Sequence, residues 1–187
     1  MTRVGYVLVG GRSFRMGRDK ALLPFRGGPL VEAVAREVAR AAGRAVLVGS
    51  PSRHGGLGFG VVPDVFPGEG PLGGILTALQ NTTADWNLIV ACDMPEVSAA
   101  FLGELLDRAE RWGVDVLIPA GPSHHLEPLC AVYHRRTRQA LYAAFASGTR
   151  KVTAALDGLR AAVLLVREPT PFQNVNTPAD WAAYASD

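Results

Sequence analysis

Cysteine is scarce in this chain, and its scarcity excludes two common ways of stabilising a small protein. Only two cysteines occur among 187 residues, and Cys92 and Cys130 lie far apart with no C-x-x-C pair. Neither a disulfide framework nor a zinc site of paired thiolates is therefore indicated. Both residues fall in apolar runs, LIVAC and LCAVY, which favours buried and chemically inert thiols.

The chain also lacks a long apolar run and a strong charge of either sign. No apolar stretch approaches the ~20 residues that a helix needs to cross a bilayer. The amino end reads as a strand rather than as a signal peptide, so we expect a cytoplasmic protein with no membrane partner. The net charge of +2 is too small to indicate a nucleic-acid partner.

The length and composition are those of one well-packed globular domain. Hydrophobic residues make up 48% of the chain and charged residues 19%, and 187 residues suit one core better than two. Short apolar runs alternate with amphipathic segments of helical period. That alternation predicts an α/β fold, a single domain over residues 1–187 with a mostly parallel sheet flanked by helices on both faces.

Hydrophobic periodicity places the individual elements. The predicted strands are 4–9, 45–48, 61–62, 88–91, 114–118, 129–133 and 162–166. The predicted helices are 29–42, 71–80, a helix capped by Ser98 that runs to Trp112, 135–146, 152–159 and 178–184. In an open α/β sheet, ligands bind outside the carboxyl ends of the strands, so the segments that follow the strands are the first candidates for function.

The strongest functional signal is a segment rich in glycine and arginine that follows the first predicted strand. Its sequence over 10–20, GGRSFRMGRDK, lacks the Gly-Lys-Ser/Thr ending of a P-loop and breaks the dinucleotide pattern G-x-G-x-x-G. Five cations crowd this part of the chain with a single acid, Asp19, among them: Arg12, Arg15, Arg18, Lys20 and Arg26. Such a cluster repels itself unless an anion fills the loop, which predicts a polyphosphate site. The alternative is a glycine turn followed by a solvated basic face.

Two aspartates follow other predicted strands. Asp93 ends the apolar strand 88–91, where its carboxylate can hold Mg²⁺ against phosphate oxygens or simply cap the next helix. The neighbouring polyphosphate loop favours the metal. Asp64 opens a glycine-rich segment, 64–74, whose backbone can approach a ligand closely. The Asp64 carboxylate could accept hydrogen bonds from a nucleotide base or from a ribose hydroxyl. The other interpretation is that this segment is only a structural turn.

These segments, in this order, resemble the molybdenum cofactor guanylyltransferases of the nucleotidyltransferase superfamily. The resemblance rests on VLVGGRSFRMGRDKALL, the 64–74 segment with GPLGG, CDMP, LEPLCAVY and QNVNTPADW, which together cover nearly the whole chain. The sequence departs from the family at Val9, where a small alanine is usual. It departs again at Glu127, where a histidine often precedes the proline.

The resemblance implies a Rossmann-like nucleotidyltransferase fold and a specific reaction. GMP would pass from GTP to the terminal phosphate of molybdopterin with release of pyrophosphate, with Mg²⁺ as cofactor and molybdopterin-handling proteins as further partners. Nucleotide contacts map to Leu8, Gly10, Gly11, Lys20, Asp64 and Asp93. Asp93 would also bind the metal, and catalysis would rest on Lys20, Arg15 and Asp93. Asn174 and Asn176 alternate on an extended piece, so their amides would face the cofactor substrate together.

Two other functions stay open at this point. One is a cytidylyl or sugar-phosphate nucleotidyltransferase with the same loop, although the Gly10-Gly11 pair and GPLGG favour guanine. The other is a non-catalytic carrier of nucleotide or cofactor. The presence of both Lys20 and Asp93 argues against a carrier, because mere binding has little need for a metal carboxylate.

Overall fold

The computed structural model describes residues 1–9, 19–168 and 170–173 of the chain. These residues form the strands β1 (Arg3–Leu8), β2 (Pro24–Phe25), β3 (Gly28–Pro29), β4 (Ala45–Gly49), β5 (Gly60–Pro63), β6 (Trp86–Ala91), β7 (Val116–Ala120), β8 (Cys130–His134) and β9 (Ala161–Leu165). They also form the helices α1 (Leu30–Ala42), α2 (Pro51–His54), α3 (Pro71–Gln80), α4 (Ala99–Trp112) and α5 (Arg138–Ala146). Short 3-10 turns cover Lys20–Leu22, Arg135–Thr137, Val152–Leu156 and Thr170–Phe172.

The main sheet has seven strands in the order β5-β4-β1-β6-β8-β7-β9, and β2 pairs with β3 in a separate ribbon. Strand β1 runs parallel to β4 and β6, β4 to β5, and β7 to β9. Strand β8 is antiparallel to both of its neighbours. The predicted mostly parallel sheet is confirmed. Strands β1, β4, β5 and β6 therefore end together at Leu8, Gly49, Pro63 and Ala91, which define the carboxyl edge of the sheet.

The reversal at β8 has a simple cause in the length of the chain that precedes it. Strands β7 and β8 are joined by residues 121–129, which contain no helix. A parallel return needs a crossover of about a dozen residues or more, usually helical, whereas a short loop returns the chain antiparallel. Residues 121–129 consequently lie at the carboxyl edge, beside the end of β6, where Ala91 N donates to Leu129 O at 2.8 Å.

Helices cover both faces of the sheet, as predicted. On one face α1 and α4 pack against inward-pointing strand residues such as Val7 and Val90. On the other face α3 and α5 pack against the alternate residues of the same strands, such as Leu8 and Ile89. The period of two along each strand thus divides one sheet between two hydrophobic cores.

Several element boundaries agree closely with the sequence analysis. Helix α3 has the predicted bounds, α1 begins one residue later than predicted because Pro29 is its N-cap, and Ser98 caps α4 by accepting a hydrogen bond from Phe101 N. The strand predicted at 114–118 instead covers Val116–Ala120. The predicted terminal helix 178–184 lies outside the described residues.

The helix predicted at 135–146 is confirmed over Arg138–Ala146, and the helix predicted at 152–159 is wrong in form. The segment 135–146 begins as a 3-10 turn, in which His134 Nδ1 accepts from Arg136 N and Thr137 Oγ1 donates to His134 O. These local side-chain bonds compete with α-helical pairing. The segment 152–159 forms only the 3-10 turn Val152–Leu156, because the chain becomes extended at Asp157 and left-handed at Gly158, with φ of +78°.

None of the helices in the described part of the chain has both the length and the apolar content to span a bilayer. Cys130 is buried, as its apolar surroundings predicted, whereas Cys92 is half-buried. Both are free thiols, and burial raises the pKa of the Cys92 thiol to about 12. Burial also raises the pKa of Cys130, so neither thiol ionises near neutral pH.

Candidate functional site

Lys20 and Asp93 are in direct contact at the carboxyl edge, although 73 residues separate them in the sequence. Lys20 Nζ lies 3.1 Å from Asp93 Oδ2. The Lys20 side chain is 10% exposed and the Asp93 side chain 27%. A lysine this well buried requires a counter-charge, and Asp93 provides it. Two residues that the sequence analysis predicted from separate segments therefore belong to one site.

Asp93 lies beside Lys20 because it follows the end of β6 at the carboxyl edge. Cys92 N donates to Leu8 O at 3.2 Å, so the pairing with β1 continues one residue past the end of β6. The chain then turns through Met94, which is buried in the core. Asp93 is held between a backbone hydrogen bond on one side and a packed side chain on the other, which fixes where its carboxylate can point.

Asp19 determines the position of Lys20. Its Oδ1 accepts from Ala21 N at 3.2 Å, which caps the 3-10 turn Lys20–Leu22. Within this turn Leu22 N donates to Asp19 O and Leu23 N donates to Lys20 O. The lysine backbone is thereby held in a closed turn, and its long side chain extends from a fixed base toward Asp93.

The donor set fits a magnesium ion that arrives with a nucleotide. In the described ranges no group of three or more His, Cys, Asp or Glu side chains could hold a metal, which excludes a metal held by protein ligands alone in that part of the chain. Magnesium differs from zinc because it usually takes only one or two carboxylate ligands from the protein, while substrate phosphates and waters complete its coordination shell. A single part-exposed aspartate, Asp93, beside the Lys20 ammonium matches that chemistry.

Asp64 lies where β5 ends, as predicted, and its orientation is fixed by protein contacts. Its Oδ1 accepts from Phe66 N and from Thr77 Oγ1, each at 3.0 Å. Thr77 is a buried residue of α3. The carboxylate therefore joins the glycine-rich segment to α3, which gives Asp64 a structural role whether or not it also contacts a ligand.

The glycines of GPLGG are explained by packing within the protein. A Cβ on Gly73 would lie 2.9 Å from Phe66 Cβ, and one on Gly74 would lie 3.2 Å from Leu8 Cδ1. Gly70, the N-cap of α3, has φ of +83°, a conformation that side chains disfavour. Contact with Phe66 therefore accounts for Gly73, and close approach of α3 to β1 accounts for Gly74. The sequence alone had allowed either a ligand or a structural turn at this segment.

Replacing Gly73 by alanine is expected to destabilise the protein by about 1–3 kcal/mol, because the added methyl group overpacks against Phe66. The matched control is Gly103→Ala in α4, where nothing lies within 4 Å of the new methyl group. That control should gain up to ~1 kcal/mol from helix propensity. Chemical denaturation of both variants measures the difference, and equal stabilities would contradict this account of GPLGG.

The other predicted site residues divide into two groups. The side chain of Leu8 packs in the core against α3, so any contact of Leu8 with a nucleotide must come from its backbone. Five residues lie outside the described part of the chain, and their predicted roles stay predictions: Gly10, Gly11, Arg15, Asn174 and Asn176.

Two further residues at the carboxyl edge were not assigned a role from the sequence. Glu127 lies in the loop between β7 and β8; burial raises the pKa of its carboxyl, and the charge of Asp93 raises it further while His125 lowers it. His54 of α2 is buried and contacts Asp19. Both residues follow strands that end at this edge. The predicted strand ends could therefore have indicated that these residues lie near the site.

Comparison with known proteins identifies the family of this chain. A sequence model of the family described as "MobA-like NTP transferase domain" matches residues 5–162. The molybdenum cofactor guanylyltransferase of Xanthomonas euvesicatoria pv. vesicatoria (strain 85-10) is 35% identical over 184 residues, which cover 95% of this chain and 92% of that protein.

Solved structures give the same picture of the fold. Molybdopterin-guanine dinucleotide biosynthesis protein A from Archaeoglobus fulgidus is 28% identical, with a TM-score of 0.83 over 98% of this chain and 97% of that one. The 2-C-methyl-D-erythritol 4-phosphate cytidylyltransferase from Thermus thermophilus is 17% identical, with a TM-score of 0.74 over 99% and 98% of the two chains. The fold is thus shared with a protein named for a different nucleotide, and the fold alone does not select the base.

Proposed function

We propose, from the premise that this chain belongs to the family of MobA-like NTP transferase domains, that it transfers GMP from GTP to the terminal phosphate of molybdopterin. The products are pyrophosphate and the guanine dinucleotide form of the cofactor. Identity of 35% to a molybdenum cofactor guanylyltransferase along 95% of the chain supports this pair of substrates. The contact between Lys20 and Asp93 is the observation that carries the mechanism.

The reaction requires no nucleophile from the protein. A phosphate oxygen of molybdopterin attacks the α-phosphorus of GTP, and the bond from that phosphorus to the bridging oxygen of pyrophosphate breaks. The attacking phosphate is already anionic, so no general base is needed. The work left to the protein is positioning the two substrates and offsetting their charge.

Lys20 and Asp93 perform complementary parts of that work. The Lys20 ammonium neutralises negative charge on the triphosphate, aided by Arg15. Asp93 holds Mg²⁺, which when bound supplies a divalent charge to phosphate oxygens. In the protein without ligand the two side chains neutralise each other at 3.1 Å. Arrival of the nucleotide with its metal brings a new partner for each of them, and neither charge is left uncompensated.

The remaining predicted contacts complete the substrate sites. Asp64, oriented by Phe66 and Thr77, contacts the guanosine, together with the backbone of the loop at Gly10 and Gly11. Asn174 and Asn176 contact molybdopterin. Molybdopterin-handling proteins as partners, a cytoplasmic location and one domain over the whole chain are further parts of the proposal.

Nucleotide selectivity separates this function from a cytidylyl or sugar-phosphate transferase. GTP with Mg²⁺ at about a hundred times its dissociation constant should stabilise the fold by about 2.7 kcal/mol. That gain corresponds to a rise in Tm of about 5–10 °C for a domain of this size. Thermal unfolding with GTP, CTP, ATP and UTP measures it, and a larger shift with CTP would favour the cytidylyl activity.

Formation of product distinguishes the proposed transferase from a non-catalytic carrier. Labelled GTP incubated with molybdopterin and Mg²⁺ should yield the labelled dinucleotide and one pyrophosphate for each. A thermal shift with GTP but no product under these conditions would support the carrier instead.

A further inference from the structure

His54 is a buried residue that contacts Asp19, next to Lys20 of the candidate nucleotide site. Its side chain is 1% exposed, although α2, to which it belongs, is only four residues long and otherwise exposed. Burial of an imidazole costs free energy unless its nitrogens find hydrogen-bond partners. A leucine would fill a purely hydrophobic position without that cost, so the polar contacts of His54 must account for its presence.

Within the described part of the chain, one nitrogen of His54 has a charged partner and the other has none. Nε2 lies 3.2 Å from Asp19 Oδ2, and because a carboxylate only accepts, Nε2–H is the donor. The hydrogen bond that the described residues give this ring is therefore to Asp19, the residue that precedes Lys20.

The surroundings of the ring leave it little freedom. A Cβ on Gly49 would lie 3.1 Å from His54 Nδ1 and 2.9 Å from Val9 O. Val9 N in turn donates to Val48 O at 2.8 Å. Glycine at position 49 thus lets the imidazole and the end of β1 come close to the same point on β4.

His54 consequently lies between the two ends of the segment 10–18. Its Nδ1 side adjoins Gly49, which packs on Val9, the residue before the segment. Its Nε2 side holds Asp19, the residue after it. His54 thus packs against β4 at Gly49 on one side and holds Asp19 on the other, which restrains the position of the Asp19 carboxylate.

Asp19 transmits this restraint to Lys20. One carboxylate oxygen accepts from His54 and the other caps the 3-10 turn that contains the lysine. Arg53 Nη1 also lies 3.4 Å from Asp19 Oδ2, but that side chain is 54% exposed, and exposed ion pairs contribute little. The buried imidazole is the stronger restraint on the carboxylate.

We propose that His54 is a positioning residue for nucleotidyl transfer, which holds Asp19 and so places the Lys20 ammonium for the triphosphate. The proposal rests on the proposed function for its kinetic part only. In this proposal α2, a helix without any recognised motif, determines the position of the Lys20 ammonium.

Three substitutions at His54 separate the hydrogen bond from the volume of the ring. His54→Gln keeps an amide donor near the place of Nε2, His54→Asn is too short to reach Asp19, and His54→Leu fills the space without a donor. We expect kcat for GMP transfer to fall about tenfold to a hundredfold in the asparagine and leucine variants. The glutamine variant should retain activity within about threefold of wild type because it keeps the hydrogen bond.

Asp19→Ser tests the same contact from the other side. The serine hydroxyl can still cap the 3-10 turn, but it is too short to reach His54 Nε2. We expect a loss like that of His54→Leu, and the double variant should be no worse than either single one because both remove one interaction. Arg53→Gln is the matched control, with kcat within about twofold of wild type because its ion pair is exposed.

A readout independent of turnover comes from the lysine content, since Lys20 and Lys151 are the only lysines in the chain. Lys151 is exposed and Lys20 is buried. Labelling with an amine-reactive reagent, followed by peptide mass analysis, gives the modification of Lys20 relative to Lys151. We expect this ratio to rise at least about threefold in His54→Leu and Asp19→Ser and to stay near the wild-type value in His54→Gln.

The outcomes separate the two proposals. If wild-type protein forms no dinucleotide, the proposed function fails, while the labelling ratio still tests the placement of Lys20. If His54→Leu and His54→Gln show the same kcat and the same labelling ratio, whether both high or both low, the imidazole is only packing and the positioning role is overturned. Should His54→Leu fail to fold, the comparison of Asp19→Ser with His54→Gln serves the same purpose.

Discussion

Lys20→Met is expected to lower kcat for GMP transfer by about 10²–10³-fold while the protein stays folded. Removal of one preorganised group that stabilises transition-state charge has an effect of this size. Methionine has a similar length and volume to the lysine stem, and it avoids the cost of burying an ammonium group. The Asp93 side chain is 27% exposed, so water can replace the lost partner and the free energy of unfolding should change little.

Steady-state kinetics with GTP and molybdopterin measure this loss, and chemical denaturation checks the fold. Arg111→Met is the matched control, because it removes a cation from the exposed end of α4, away from the carboxyl edge. The control should keep wild-type kinetics. Comparable losses in both variants would mean that overall charge, rather than the position of Lys20, controls the rate.

Removal of divalent metal is expected to abolish the reaction, and Mg²⁺ should restore it. With Mg²⁺ added back, Asp93→Asn should be slower than wild type by about 10²-fold or more. The amide keeps an oxygen for Lys20 but loses the charge that a metal ligand needs. A saturating metal concentration that restores full activity to Asp93→Asn would remove Asp93 from the metal site.

The same substitution has a readout other than activity. Lys20 already bonds to Asp93, and a single carboxylate is a poor metal site alone, so Mn²⁺ without nucleotide should bind weakly to the wild-type protein. With GTP present, Mn²⁺ should bind tightly to wild type and at least about tenfold more weakly to Asp93→Asn. Electron paramagnetic resonance of free Mn²⁺ measures both affinities.

The pairing of Lys20 with Asp93 could be predicted from the sequence because each residue follows an apolar strand. Parallel strands end at one edge, so residues that are distant in the chain were expected to meet there. The fold class followed from the same alternation of strands and helices. The detailed bounds of the helices after β8 could not be predicted, because His134 and Thr137 redirect the backbone through side-chain bonds that leave no periodic signal.

Other parts of the site required the structure for different physical reasons. Helix α2 is too short to show helical periodicity, so nothing in the sequence indicated that His54 is buried or that it reaches Asp19. GPLGG allowed both a ligand and a structural turn, because a glycine pattern does not distinguish a bound molecule from a neighbouring part of the chain. The distances from Gly73 to Phe66 and from Gly74 to Leu8 identify the neighbour as part of the protein.

The most direct test of the account is a single turnover assay with GTP labelled at the α-phosphate, molybdopterin and Mg²⁺, on wild type, Lys20→Met and Asp93→Asn. The account predicts labelled guanine dinucleotide and an equal amount of pyrophosphate from wild type, with both variants slower by about 10²-fold or more. Product formation at the wild-type rate in either variant would contradict the claim that the two side chains share the triphosphate and its metal.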